Sequence, residues 1–125
     1  MLVEKQELCI QRIHQMSDYF PDRWVVIKVT SPEVKLYRVF ACWYGGYAGS
    51  DSWKINSGIV KAVPIENGYS FEGYSGSAYK CSKETYGTNF YGGSVLAKLI
   101  EDGAKADITI EVMPEDTNFT ELDYE

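Results

Sequence analysis

Trp24-Val25-Val26-Ile27-Lys28-Val29-Thr30, the turn Ser31-Pro32-Glu33, and Lys35-Leu36-Tyr37-Arg38-Val39-Phe40-Ala41-Cys42-Trp43-Tyr44 make up the stretch that decides the fold. The first run is rich in β-branched residues and is bounded by turn formers, so it reads as a strand. The second alternates with a period of two. Leu36, Arg38, Phe40, Cys42 and Tyr44 fall on one face, and Tyr37, Val39, Ala41 and Trp43 on the other. Both faces carry large apolar groups, which predicts a central strand covered from two sides.

Working towards the N-terminus, Cys9, Ile10, Ile13, Met16 and Phe20 recur at spacings of three and four, with polar residues between them. That spacing predicts an amphipathic helix over residues 3–18, ended by Ser17-Asp18 and Phe20-Pro21-Asp22. On the other side, residues 45–52 are too glycine-rich for regular structure. Trp53 to Ile65 reads as a third strand kinked near Gly58, and Glu66-Asn67-Gly68 as a tight hairpin turn. Tyr69 to Tyr74 alternates as a fourth strand. Residues 75–93 form a connection containing the short run Ala78-Tyr79-Lys80-Cys81. A short helix over Ser94 to Asp102, stopped by Gly103, leads to a last strand over Asp107 to Met113. The expected fold class is α+β: an antiparallel meander of about five strands, with an N-terminal amphipathic helix and a short helix before the last strand.

The chain has 125 residues, 45% hydrophobic and 24% charged, which suits a single packed domain. The net charge is −6, yet residues 101–125 carry nine acids against Lys105 alone, which leaves the preceding residues slightly positive. The expected organisation is one domain over 1–113 and an acidic, solvated tail over 114–125. This balance disfavours nucleic acid as a partner. The sequence also lacks a long apolar run and a basic leader, so no membrane span is expected. One His and three widely spaced Cys, at 9, 42 and 81, point to a reducing cytoplasm and away from a compact zinc cluster. No cofactor is expected.

Three constellations are candidates for function. Ten of the eleven glycines lie between residues 45 and 93, among many aromatic rings. Trp43, Tyr47, Trp53 and Tyr79 in this band would serve as a protein interface or stack on a flat base. The plainer account is a Tyr-rich sheet core with glycine in its turns. The second candidate is an anion cradle built from the Ser75-Gly76-Ser77 amides, the Gly92-Gly93 amides before a helix, and Lys80 and Lys83. Helix capping explains Gly92-Gly93-Ser94 equally simply. The third is a Cys81 or Cys42 nucleophile with His14 as base, against which stands the frequency of buried structural cysteines.

Gly73-Tyr74-Ser75-Gly76-Ser77-Ala78-Tyr79-Lys80-Cys81, Asp51-Ser52-Trp53-Lys54-Ile55-Asn56-Ser57-Gly58-Ile59 and Met113-Pro114-Glu115-Asp116-Thr117-Asn118 together resemble a family of small uncharacterised proteins from tailed bacteriophages. The resemblance covers most of residues 20–119. It implies a setting, the cytoplasm of a bacterial host, and assigns no activity or functional residue. Phage proteins of this size often inhibit host defence. The expectation is therefore a non-catalytic binding protein that antagonises a bacterial host factor, a defence component, through its aromatic and Gly-rich surface. The alternatives are a sponge for a cyclic or adenine-containing nucleotide and a small Cys-dependent enzyme. Assembly into a homo-oligomer is left open by the sequence.

Overall fold

A computed structural model of the chain describes residues 17–46 and 49–125. Among the described residues, eight strands and one long helix follow in the order β1 (Asp18–Tyr19), β2 (Arg23–Thr30), β3 (Lys35–Trp43), β4 (Ser52–Ile55), β5 (Ile59–Ile65), β6 (Gly68–Gly73), β7 (Ala78–Ser82), α1 (Phe90–Lys105) and β8 (Thr109–Val112). They form two four-stranded sheets, one ordered β1-β7-β6-β5 and the other β4-β3-β2-β8. The class is mixed α+β, as expected. The single five-stranded meander is replaced by two sheets stacked on each other, with α1 on the outer face of the second. The expected N-terminal helix falls almost wholly on residues outside the described ones, and Asp18, at its expected end, begins β1.

The β2–β3 hairpin forms as its sequence predicts, with Trp24 opposite Ala41, Val26 opposite Val39 and Thr30 opposite Lys35. Its turn is closed by Ser31, whose N–H donates to the Val34 carbonyl at 2.8 Å while its hydroxyl accepts the Val34 N–H at 3.2 Å. Trp24, Val26, Tyr37, Val39 and Ala41 face the first sheet and pack with Ile59, Phe71, Tyr79 and Cys81. Val25, Ile27, Phe40 and Cys42 point the other way and are covered by Leu96 of α1, with Val95, Leu99 and Ile100 around it. Burial on both faces explains why β2 is a continuous apolar run.

At the chain reversals one sequence expectation fails, and the other, the tight hairpin at Glu66-Asn67-Gly68, is met. Trp53 to Ile65 is two strands in different sheets, because Asn56 binds β3 and turns the chain across the sandwich. Its N–H donates to the Val39 carbonyl at 3.1 Å, and its Oδ1 accepts the Val39 N–H at 2.9 Å and the Gly58 N–H at 3.2 Å. At the β5–β6 hairpin, Asn67 takes the left-handed conformation, φ 59°. Gly68 already belongs to β6, and any side chain there would collide with the Cys81 carbonyl. The short run at 78–82 is a full strand, paired antiparallel with β6 and parallel with β1. Helix α1 starts four residues earlier than expected. Asn89 is its cap, and Asp107, at φ 64°, makes the left-handed exit expected of Gly103.

The segment expected as a solvated tail belongs to the core. Met113 N–H bonds the Val26 carbonyl at 2.9 Å, and the chain then folds back so that Phe119 is 1% exposed. Its ring lies 5.7 Å from Trp24, 5.4 Å from Tyr69 and 5.8 Å from Phe71, and Tyr124 packs edge-on against Tyr37. The alternation of acids with Phe119, Leu122 and Tyr124 is thus the pattern of a strap with one wet side. Phe119→Ala is expected to destabilise the fold by about 3–5 kcal/mol, the usual range for emptying a buried phenylalanine site. Urea unfolding measures this, and a loss below about 1 kcal/mol would place the segment outside the core.

Candidate functional site

The C-terminal end of β3 is a junction of three elements. Trp43 is half-buried, donates its indole N–H to the Phe20 carbonyl at 3.0 Å, and meets the Tyr19 ring edge-on. Its own carbonyl accepts from the Asn89 side-chain amide at 3.3 Å, which fastens the start of α1 to the end of β3. Beyond it, Tyr44 N–H donates to the Asp22 carboxylate at 2.9 Å and Gly45 N–H to the Asp51 carboxylate at 2.8 Å. On the adjoining edge strand, Trp53 lies opposite Cys42 and stacks on Phe40 at 5.6 Å and 15°.

Large rings stand in solvent around this junction: Phe90 is 93% exposed, Phe20 65%, Tyr44 53% and Trp53 38%. Their placement follows from local structure. Phe20 sits where Pro21 turns the chain from one sheet into the other, Tyr44 is the first residue past β3, and Phe90 directly follows the Asn89 cap. The sheet and helix therefore hold the rings by their backbones; Trp53 keeps one face on Phe40, and Phe20, Tyr44 and Phe90 carry most of their surface in solvent. Large apolar rings left exposed at one end of a sheet offer contact area to a partner. From the sequence, Phe20 reads as part of a helical stripe and Phe90 as part of a connection. The only signals for their exposure are the Pro after Phe20 and the capping Asn before Phe90.

Of the residues singled out from sequence, the structure brings Trp43, Trp53 and the Gly92-Gly93 turn to this junction. Tyr47 lies outside the described residues. Tyr79 is only 2% exposed and stacks on Tyr19 at 4.8 Å, so it offers no free face to a base. Burial, with the neighbouring Tyr19 and Cys81, pushes its hydroxyl up to about 12. Lys80 lies 3.9 Å from Asp18. Lys83 sits apart, over the Tyr69 ring at 5.4 Å, on a cleft of about 620 Å³ shared with Glu115 and Asp116.

The anion cradle is not assembled as expected. Gly92 N–H donates to Asn89 Oδ1 at 2.7 Å and Gly93 N–H to the Asn89 carbonyl at 2.8 Å, so the helix start is capped by its own chain. Gly92 is needed for another reason: a Cβ there would collide with the Cys42 sulfur. In the Ser75-Gly76-Ser77 turn, Ser75 N–H is held by the Ser57 hydroxyl and Gly76 N–H by the Gly73 carbonyl.

The cysteine chemistry is equally constrained. Cys42 and Cys81 are 0% and 1% exposed. Burial pushes both thiols above the ordinary 9.0, opposing thiolate formation. His14 and Cys9 lie outside the described residues. Among the described residues, no three His, Cys, Asp or Glu gather where they could hold a metal ion, and no helix is long and apolar enough to cross a membrane. Comparison with protein-family models, with curated proteins and with solved structures finds no match to this chain.

Gly92→Ala should destabilise the protein by about 1–3 kcal/mol through overpacking, and adding Cys42→Ala should recover part of that loss. Additive losses in the double variant, read by urea unfolding, would show that the contact is not limiting. The thiols also set a pH dependence. Both bind their protons more tightly folded than unfolded, so their stabilising contribution is complete below pH 9 and declines as pH rises through it. The urea midpoint is expected to be lower at pH 10 than at pH 8, with a shallower decline in Cys81→Ala. Equal midpoints for the unmodified chain would contradict this.

Proposed function

We propose that this chain is a non-catalytic binding protein that docks on a bacterial host protein through the ring cluster of Phe20, Tyr44, Trp53 and Phe90 and thereby blocks that partner's action. The observation that carries the reading is the exposure of these four rings, from 38% to 93%, at one junction of the fold. Rings anchored by strand and helix ends lose little conformational freedom on binding, which is the economy that makes aromatic residues effective hot spots.

Charge narrows the partner. The rings are flanked by the carboxylates of Asp22 and Asp51, and the chain as a whole carries −6. An apolar pocket rimmed by Lys or Arg would complement this face and be drawn to it over a distance. The resemblance to small phage proteins supplies the setting, a defence component of the infected cell. Burial of both described cysteines favours this reading over Cys-dependent catalysis, and burial of Tyr79 weighs against base stacking there.

The test compares variants against one bait. A stoichiometric partner captured from bacterial lysate should be lost or weakened at least tenfold by Phe90→Ser and by Tyr44→Ser. Tyr74→Ser, at a ring 62% exposed outside the cluster, should leave capture unchanged. Equal retention by all three variants, each shown to be folded, would refute the assignment.

A further inference from the structure

We propose that the corner between β4 and β5 is an oxyanion site, which takes the phosphate group of a small phosphorylated ligand. Its centre is Asn56, only 4% exposed. The Asn56 carbonyl accepts an Arg38 guanidinium N–H at 3.2 Å, and its side-chain Oδ1 accepts the N–H groups of Val39 and Gly58. Those two donors fix the orientation of the amide, because a flipped side chain would set its NH2 against two backbone N–H groups. One atom is left over. Asn56 Nδ2 is buried and has no hydrogen-bond partner among the described residues. A buried donor in this state is unfavourable unless an acceptor comes to it.

The space beside it suits an anion. A pocket of about 280 Å³ is lined by Arg38, Lys54, Asn56, Ser57, Ser75 and Ser77 among others, and among the described residues no carboxylate lines it. Two cations thus face one small pocket in a chain of net charge −6. Among the described residues neither cation has a carboxylate within ion-pair distance. Arg38 gives one guanidinium N–H to the Asn56 carbonyl, and the Lys54 ammonium rests over the Tyr19 ring at 5.4 Å. The Ser57 hydroxyl accepts the Ser75 N–H at 3.0 Å and has its own proton to donate.

Gly73 keeps the space open. A Cβ at this position would lie 3.2 Å from both Asn56 Nδ2 and Ser57 Oγ, tight against the two donors. The pocket falls just below the range of about 300–1,000 Å³ that holds whole drug-sized ligands, so it fits a compact charged group. The two aromatic rings at its edge, Tyr19 and Tyr79, stack on each other, so the recognised part is the phosphate and not a flat ring. Donors without acceptors, two cations and a glycine-cleared wall match the chemistry of an oxyanion with several lone pairs. This site is separate from the aromatic docking face, and either can fail without the other.

Titration of isotope-labelled protein at constant ionic strength tests the proposal by the Asn56 side-chain amide signals. One arm uses inorganic phosphate, a second uses adenosine monophosphate as an esterified phosphate, and chloride is the reference. The amide protons are expected to shift saturably with phosphate and not with chloride. Tighter binding of the monophosphate would identify an esterified phosphate as the ligand, and equal binding the free ion. Lys54→Gln, at an exposed position, should weaken binding at least fivefold with the remaining spectrum preserved, and Gly73→Ala should weaken it further. Absence of a saturable shift in both phosphate arms would overturn the proposal. So would a shift that survives unchanged in folded Lys54→Gln.

Discussion

The middle of strand β2, Trp24 to Ile27, has no face for water. Trp24 and Val26 enter the space between the sheets while Val25 and Ile27 lie under α1, and all four are at most 3% exposed. A strand of this kind is stable only if something apolar is delivered to each side. The rest of the architecture answers that requirement. Sheet β1-β7-β6-β5 covers one face, α1 the other, and β3 and β8 take up the two edges. Where β8 does not reach, Tyr86 bridges Trp24, and its hydroxyl joins Val26 to Met113. Phe119 then fills the aromatic space around Trp24.

This requirement also shows what the sequence could reveal. Local patterns determine the β2–β3 hairpin, so alternation over Lys35 to Tyr44 and the turn at Ser31-Pro32-Glu33 are legible in the chain alone. The crossing at Asn56 is not, because its cause is the hydrogen bonding of one side chain to Val39, seventeen residues away. A glycine-containing kink and a change of sheet look alike in sequence. The strap over 114–125 is hidden for a related reason. Its acids dominate the composition, whereas its place in the fold is set by one ring, Phe119, whose partners come from β2, β6 and the segment before α1.

The candidate sites divide in the same way. Trp43, Trp53 and the Gly92 turn are found together because β3, β4 and the helix start converge there, yet the most exposed ring, Phe90, owes its position to the Asn89 cap. Aromatic content alone could not separate it from Tyr79, whose ring is buried against Tyr19. The oxyanion corner was foreshadowed only by Ser75-Gly76-Ser77. Its cations, Arg38 and Lys54, come from two strands whose adjacency is a property of the sheet.

If rigid elements present the exposed rings to a partner, contact should be confined to the ends of those elements. Hydrogen exchange on the purified complex, compared with the free chain, reads this directly. Exchange should slow at residues 20–22, 43–46 and 89–92, with the β5–β6 hairpin unchanged. Protection centred on that hairpin, with the β3 end and the helix start unaffected, would contradict it.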